Sequence, residues 1–219
     1  MRCMAERDDT YSTLLQTSIR LFGRYGYDGV TTRMLAGDAG VNIAGIKYHF
    51  GSKDGLYFAA IDHIVAVLTP RVDIVVGLAA QAKTLAGDDP KRRALLLTQL
   101  VHTVLDTFLV NPAVREVIPF ILREIFVPGP GFEHMYDAIP RRVHETFTEL
   151  VAWILGLDSQ SPTTIMRTHT VIGQLIVFHV GRAILTRRLG VDDYSEDDIG
   201  QIKQQATQSV LMSLGLPHD

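Results

Sequence analysis

Apolar residues return every three or four positions along most of this chain. Leu15, Ile19 and Phe22 do so, with Tyr11 one turn earlier, and this predicts a first helix. Thr10 or Ser12 stands where that helix would be capped. Gly23, Gly26 and Gly29 weaken and then end it, with Gly26 suited to the left-handed residue after the last turn. A second, short helix starts at Thr31 or Thr32 and stops at Gly40. A third is capped by Asn42, runs over 43–49 and ends at Phe50 and Gly51. Ser52 caps a fourth, whose face is Leu56, Ala59, Ala60, Ile64 and Leu68, and Pro70 marks a kink or break in it.

The later segments carry clearer punctuation. Asp88 or Asp89 before Pro90 opens a helix to Val110, and Asn111-Pro112 opens the next, which Pro119 interrupts before Phe126. Pro128-Gly129-Pro130-Gly131 is a loop. Helices follow over 132–155, bent at Pro140, over 162–189 from Ser161-Pro162, and from Ser195-Glu196-Asp197-Asp198 to Leu214. Nothing alternates as a strand would. The pattern predicts an all-α chain of about nine helices.

Composition narrows the function classes. With 219 residues, 47% hydrophobic and 21% charged, the chain can bury a full core without cross-links. Its one cysteine, Cys3, excludes an intrachain disulfide and a zinc site of several thiolates, and its terminal place predicts a frayed tail. A net charge of -3 is wrong for a protein that coats nucleic acid along its length. Any DNA contact must come from a local patch, and 20–53 offers Arg20, Arg24, Arg33, Lys47 and Lys53 against Asp28 and Asp38. The start has no apolar core of a signal peptide, and no uninterrupted apolar run reaches the length of a membrane span. The expectation is a cytoplasmic protein with no membrane partner.

Two short helices joined by a tight turn at Gly40, behind a longer amphipathic helix, fit a helix-turn-helix. The helix after Asn42 exposes small or polar groups and can enter a major groove about 12 Å wide, while the helix before it crosses the backbone. The stretch Thr31-Thr32-Arg33-Met34-Leu35-Ala36-Gly37-Asp38-Ala39-Gly40-Val41-Asn42, followed by Tyr48-His49-Phe50-Gly51-Ser52-Lys53-Asp54-Gly55-Leu56, resembles the DNA-binding signature of TetR-type transcriptional regulators. Asn42-Ile43-Ala44 is similar to a subgroup with Asn-Ile-Ala at the recognition helix.

The resemblance implies a DNA-binding domain over 1–60, with the first three helices forming the helix-turn-helix module, and a helical effector-binding and dimerisation domain over 61–219. It implies that Thr32, Tyr48, His49 and Lys53 contact phosphates. Asn42, Ala44, Gly45 and Lys47 would face the groove, and Lys47 and Arg33 could each reach a base edge or a phosphate. Lys47 stands where many members carry an aromatic, and Ile43 where many carry a polar residue. Simpler roles stay open: Tyr48 as a half-buried aromatic, His49 as a cap, Lys53 as a solvated lysine. Leu35, Ala39, Val41, Ile46, Phe50 and Leu56 have the spacing of the module's core, and a fully buried Phe50 would be worth about 3–5 kcal/mol.

The resemblance further implies a homodimer on a palindromic double-stranded DNA operator, released by an unidentified small-molecule effector. The dimer surface would use Ile165, His169, Ile172, Ile176 and His179 on one helix, with Gly173 and Gly181 allowing close approach, and Val210 and Leu214 on the last. Those faces could equally be domain core. Phe108, Phe120, Phe147, Trp153 and Phe178, with Arg123, are candidate pocket lining, and each could also be core. His144, Glu145 and Glu149 lack the spacing of a His-Glu-x-x-His zinc helix and read as a solvated face. No metal, cofactor or catalytic motif is indicated, so no enzyme is expected. The alternatives are a ligand-binding helical protein without a specific DNA target, and a regulator that needs no ligand.

Overall fold

The structure is a computed structural model that describes residues 2–218, with side chains described from Asp9 onward; the side chain of Cys3 lies outside this range. The described residues contain eleven helices: α1 (Arg2–Gly29), α2 (Thr32–Ala39), α3 (Ala44–Phe50), α4 (Lys53–Ala86), α5 (Pro90–Leu109), α6 (Pro112–Phe126), α7 (Phe132–Ala138), α8 (Pro140–Leu155), α9 (Pro162–Val180), α10 (Arg182–Leu189) and α11 (Glu196–Ser213). The fold is all-α. Two breaks raise the number above the nine that periodicity predicts. Ile139, ahead of Pro140, leaves helical backbone at φ -126° and separates α7 from α8. Gly181 separates α9 from α10.

Several ends are set as the sequence predicts. Asp89 accepts from the backbone N–H of Lys91 and Arg92, with Pro90 in the first turn of α5. Ser195 and Asp198 form a reciprocal capping box on α11. Gly26 has φ 74° and ψ 173°, which kinks the end of α1 in a region that only glycine enters without strain. The other end of α1 differs. The helix runs back to Arg2, because nothing over 2–9 breaks it, so neither Thr10 nor Ser12 is its cap.

Packing divides the chain into two compact units, Met1–Thr69 with Pro112–Ile139, and Pro70–Asn111 with Pro140–Asp219. The first therefore takes α6 and α7 from the middle of the sequence, which a linear division at residue 60 leaves out. Its centre is aromatic. Phe22 meets Tyr57 edge-on at 5.0 Å, and Phe120 lies 5.5 Å from Tyr57. The backbones of α1 and α6 come close at Gly23, where a Cβ would stand 2.9 Å from the Phe120 nitrogen. In the second unit α5, α8, α9 and α11 surround Leu97, Leu100, Leu105, Phe147, Leu150, Val171, Leu175 and Val210.

The long α4 passes through Pro70 without a break. Its buried positions Leu68, Val72, Val75, Ala79, Ala82 and Ala86 recur at alternating spacings of four and three, the stripe of a helix seated on one face. By length and composition this helix could cross a membrane, with mean hydropathy 1.6 over an 18-residue window. That corrects the expectation that no segment qualifies. A search for uninterrupted apolar runs stops at Arg71 and Asp73, whereas a window average passes over them. Asp73 is paired with Arg142 at 2.7 Å and Asp62 with His134 at 2.9 Å, so these two carboxylates on α4 are engaged within the protein.

Candidate nucleic-acid interface

The turn between α2 and α3 is built from local chemistry. The Thr31 hydroxyl accepts from the Met34 N–H at 3.2 Å and caps α2. Thr32 is therefore the first residue inside the helix, with its neighbour doing the capping. Gly40 takes φ 66° and ends α2, and the Val41 N–H returns to the Ala36 carbonyl at 3.0 Å. The Asn42 side chain accepts from the Ala44 N–H at 2.8 Å and opens α3.

Behind this turn Leu35 and Ile46 are buried, at 0% and 2% exposure, and hold α2 and α3 against α1. The outward face of α3 is bare. Tyr48 is 63% exposed and Ile43 50%, and Ala44 and Lys47 are exposed beside them. Arg33 is exposed in the first turn of α2. His49 is half-buried, with its ring 4.9 Å from Tyr48 and 6.2 Å from Tyr11. Phe50 stacks on Tyr11 at 4.7 Å and is only half-buried, so the cost set for a fully buried ring does not apply.

Two sequence-derived roles change. Gly45 does not present its missing side chain to the groove: a Cβ there would meet Leu14 and Thr10 of α1 at 3.8 Å. Lys53 is not simply solvated. Its ammonium donates to the carbonyls of Tyr27 and Val30, each at 3.1 Å, and lies 3.9 Å from the centre of the Tyr27 ring. It thus ties the end of α1 to the start of α4. The Tyr27 hydroxyl donates to Asp54, and that bond, with burial and the carboxylate's charge, pushes its pKa up to about 12. Tyr27 escaped the sequence reading because its partners lie 26 and 27 residues away. Arg20 pairs with Asp38, which removes both from the balance of free charge.

The candidate effector residues are distributed over both units. Phe120 and Arg123 belong to the first unit, and Phe108, Phe147, Trp153 and Phe178 to the second. Phe120 is 1% exposed among Phe22 and Tyr57, and is core. The Arg123 guanidinium lies against Gly26, where a Cβ would be 2.9 Å from Nη2. Phe147 is buried, while Phe108, Trp153 and Phe178 are half-buried at the edge of the second core. Trp153 carries Arg93 over its ring at 4.3 Å.

The dimer candidates divide in the same way. Val210 and Leu214 are 0% and 3% exposed inside the second unit, so they are core and not interface. Spacing shows that a face is apolar but not which partner covers it. Ile165 and His169 are exposed on α9, while Ile172, Ile176 and His179 are half-buried. The exposed apolar positions of α9 are Ile165, Met166, Val177 and Val180, at 41%, 68%, 54% and 45% exposure.

Comparison with known proteins places this geometry. The family model of the bacterial regulatory proteins of the tetR family matches residues 14–60. The model of the C-terminal domain of the HTH-type transcriptional dual regulator CecR matches residues 94–216. The CecR regulator of Shigella flexneri is 29% identical over 200 residues, covering 89% of this chain and 86% of that protein. A probable HTH-type regulator of Bacillus subtilis, YttP, is 25% identical over 54% of this chain and 51% of its own length. Among solved structures, a TetR-family regulator from Bordetella parapertussis aligns with TM-score 0.58 at 14% identity, over 92% of this chain and 93% of that one. AibR, solved in complex with isovaleryl coenzyme A and operator DNA, aligns with TM-score 0.55 at 15% identity, over 92% and 97%. A helix-turn-helix over α2 and α3 within residues matched by the tetR family model, and a matched helical domain over 94–216, make this chain a member of the TetR family of transcriptional regulators, with the C-terminal domain of the CecR type.

Proposed function

We propose that the protein is a homodimeric repressor that leaves a palindromic operator when a small molecule binds. The observation that carries this reading is the outward face of α3, where Ala44, Lys47 and Tyr48 stand exposed on a helix fixed from behind by Ile46. Tyr48, 63% exposed beside the exposed Lys47, leaves an aromatic hydroxyl and an ammonium on the side of α3 open to a partner. In a major groove its hydroxyl would meet a phosphate, Lys47 a guanine edge or phosphate, and Ala44 and Asn42 the bases below. Thr32 and His49 would flank them as phosphate donors, with Arg33 alongside. Lys53 serves the interface by fixing the end of α1, with any phosphate contact added to that task.

A single module offers few contacts, so two copies on a two-fold site are required for tight binding. The exposed positions Met166, Gly173, Val177 and Val180 share one face of α9 and supply an apolar surface for a second copy, with Ile165 and His169 at its margin. Phe108, Trp153 and Phe178 are the aromatic residues best placed to meet an apolar effector, because they are half-buried and not locked in the core. Release follows when the effector favours a dimer whose two recognition helices no longer match successive grooves. The protein would work in the cytoplasm, where its DNA is. The similar regulator of Shigella flexneri is named a dual regulator, which makes activation at some sites the second reading.

The test is selection of genomic fragments by the purified protein at about 150 mM salt, beside a Lys47→Ala, Tyr48→Ala variant. A shared palindrome recovered by the wild type and lost by the variant supports the proposal. Fragments without a common sequence would overturn it in favour of a ligand-binding protein without a specific target.

A further inference from the structure

Ile43 stands just before α3, yet its backbone is helical, at φ -56° and ψ -28°, so it continues that helix backwards by one residue. It is 50% exposed. Lys47, exposed one turn further on, shares its flank of the helix, and the exposed Ala44 lies between that flank and Tyr48.

The local backbone holds Ile43 in place. The Asn42 side chain accepts from the Ala44 N–H at 2.8 Å, and the Gly45 N–H donates to the Asn42 carbonyl at 2.8 Å. The Ile46 N–H donates to the carbonyl of Ile43 itself at 3.2 Å. Ile46 is buried behind the turn, and Gly45 lies against Leu14 and Thr10 of α1. A β-branched side chain on helical backbone is also stiff at χ1, so the apolar end of Ile43 is offered in few directions.

A single exposed isoleucine on an ordinary protein surface needs no explanation. On a helix that enters a major groove it acts on the choice of base. Guanine, adenine and cytosine present hydrogen-bonding atoms there, and thymine presents O4 and the C5-methyl, the one alkyl group in the groove. Isoleucine laid over a polar base edge takes water from it and returns no hydrogen bond. Laid on the methyl, it removes apolar surface of both partners from water. We propose, on the reading of α3 as the recognition helix, that Ile43 selects a thymine in each half-site of the operator by contact with its C5-methyl. The neighbouring Lys47 then adds a polar contact from the same flank, so one side of the helix carries both kinds of readout.

The test is a uracil scan of the operator recovered by genomic selection. Each thymine is replaced in turn by deoxyuridine, which keeps the pairing edge and O4 and lacks only the methyl. Affinities of the wild type and of Ile43→Ala are read by fluorescence anisotropy at about 150 mM salt. At one thymine position the wild type should lose about fourfold when one half-site is changed and about fifteenfold when both are, the worth of one buried methyl at each. Ile43→Ala should keep the wild-type melting temperature, bind the thymine operator more weakly, and bind the thymine and uracil operators alike. A wild type that prefers the operator to a scrambled duplex but is indifferent to uracil at every position would overturn this inference and leave the DNA reading standing. So would an Ile43→Ala variant that keeps the full loss on uracil, since the methyl would then belong to another side chain. A wild type that prefers no operator to a scrambled duplex would remove the DNA reading and this inference together.

Discussion

Lys53 holds its ammonium 3.9 Å from the centre of the Tyr27 ring and donates to the Tyr27 carbonyl at 3.1 Å. One side chain thus engages both the face and the backbone of one residue, and through Val30 it closes the carbonyl end of α1. Lys53→Ala should lower the stability of the free protein by about 1–3 kcal/mol, because two charge-assisted bonds and a ring contact are lost together. Chemical denaturation without DNA measures this. An unchanged midpoint would return Lys53 to a purely phosphate-binding role.

Tyr27 titrates abnormally for a stated reason. Its hydrogen bond to Asp54 favours the neutral phenol and raises its pKa from the ordinary 10 to about 12. The folded state keeps a proton that the unfolded state releases. The stabilisation is therefore complete below pH 10 and is lost as pH rises from 10 towards about 12. Asp54→Asn should bring the pKa of this tyrosine back towards 10, read as the difference between the two proteins' phenolate absorbance curves.

The histidines act at the other end of the scale. Burial lowers the pKa of both His102 and His144. His102 is depressed further by Lys203, with Asp106 opposing, and His144 by His169, with Glu145 opposing. In the unfolded chain both take up protons near the ordinary value of 6.5, while the folded chain resists. Stability should fall as pH drops through that value, and the double variant His102→Gln, His144→Gln should flatten the fall. Thermal melts between neutral and mildly acidic pH read it directly.

Gly45 offers a gain. Its backbone has no positive φ, and a Cβ would make ordinary contact with Leu14 and Thr10 at 3.8 Å. Gly45→Ala should stabilise the module by about 0.5–1 kcal/mol through helix propensity alone, with specific DNA affinity kept. Gly26→Ala should do the reverse and cost about 1–3 kcal/mol, since φ 74° is closed to alanine and Arg123 occupies the space. Melting temperatures of the two variants, compared with the wild type, separate the cases.

The helix-turn-helix is legible in the sequence because its signals are local. Thr31, Gly40 and Asn42 act on backbone groups within five residues of themselves, and a reader of spacing can place them. What depends on a distant segment is not legible. Gly45 looks like a groove-facing glycine until α1 is seen behind it. Val210 and Leu214 carry the same apolar stripe whether a second copy or their own unit covers them. Phe120 and Arg123 read as pocket lining from residue type alone, yet they pack against α1. His144 and His169 bring their ring centres to 5.7 Å with no spacing signature, because two different helices carry them.

The central claim is that the bare face of α3 reads DNA. The most direct measurement is the affinity of the wild type and of Tyr48→Ala for the selected operator and for a scrambled duplex, at about 50 and 200 mM salt. The wild type should prefer the operator by at least about a thousandfold, with affinity falling steeply as salt rises. Tyr48→Ala should keep the wild-type melting temperature, since the side chain is 63% exposed, and should lose most of the operator affinity. Equal affinity of the two proteins for the operator, or equal affinity of the wild type for operator and scrambled DNA, would contradict the account.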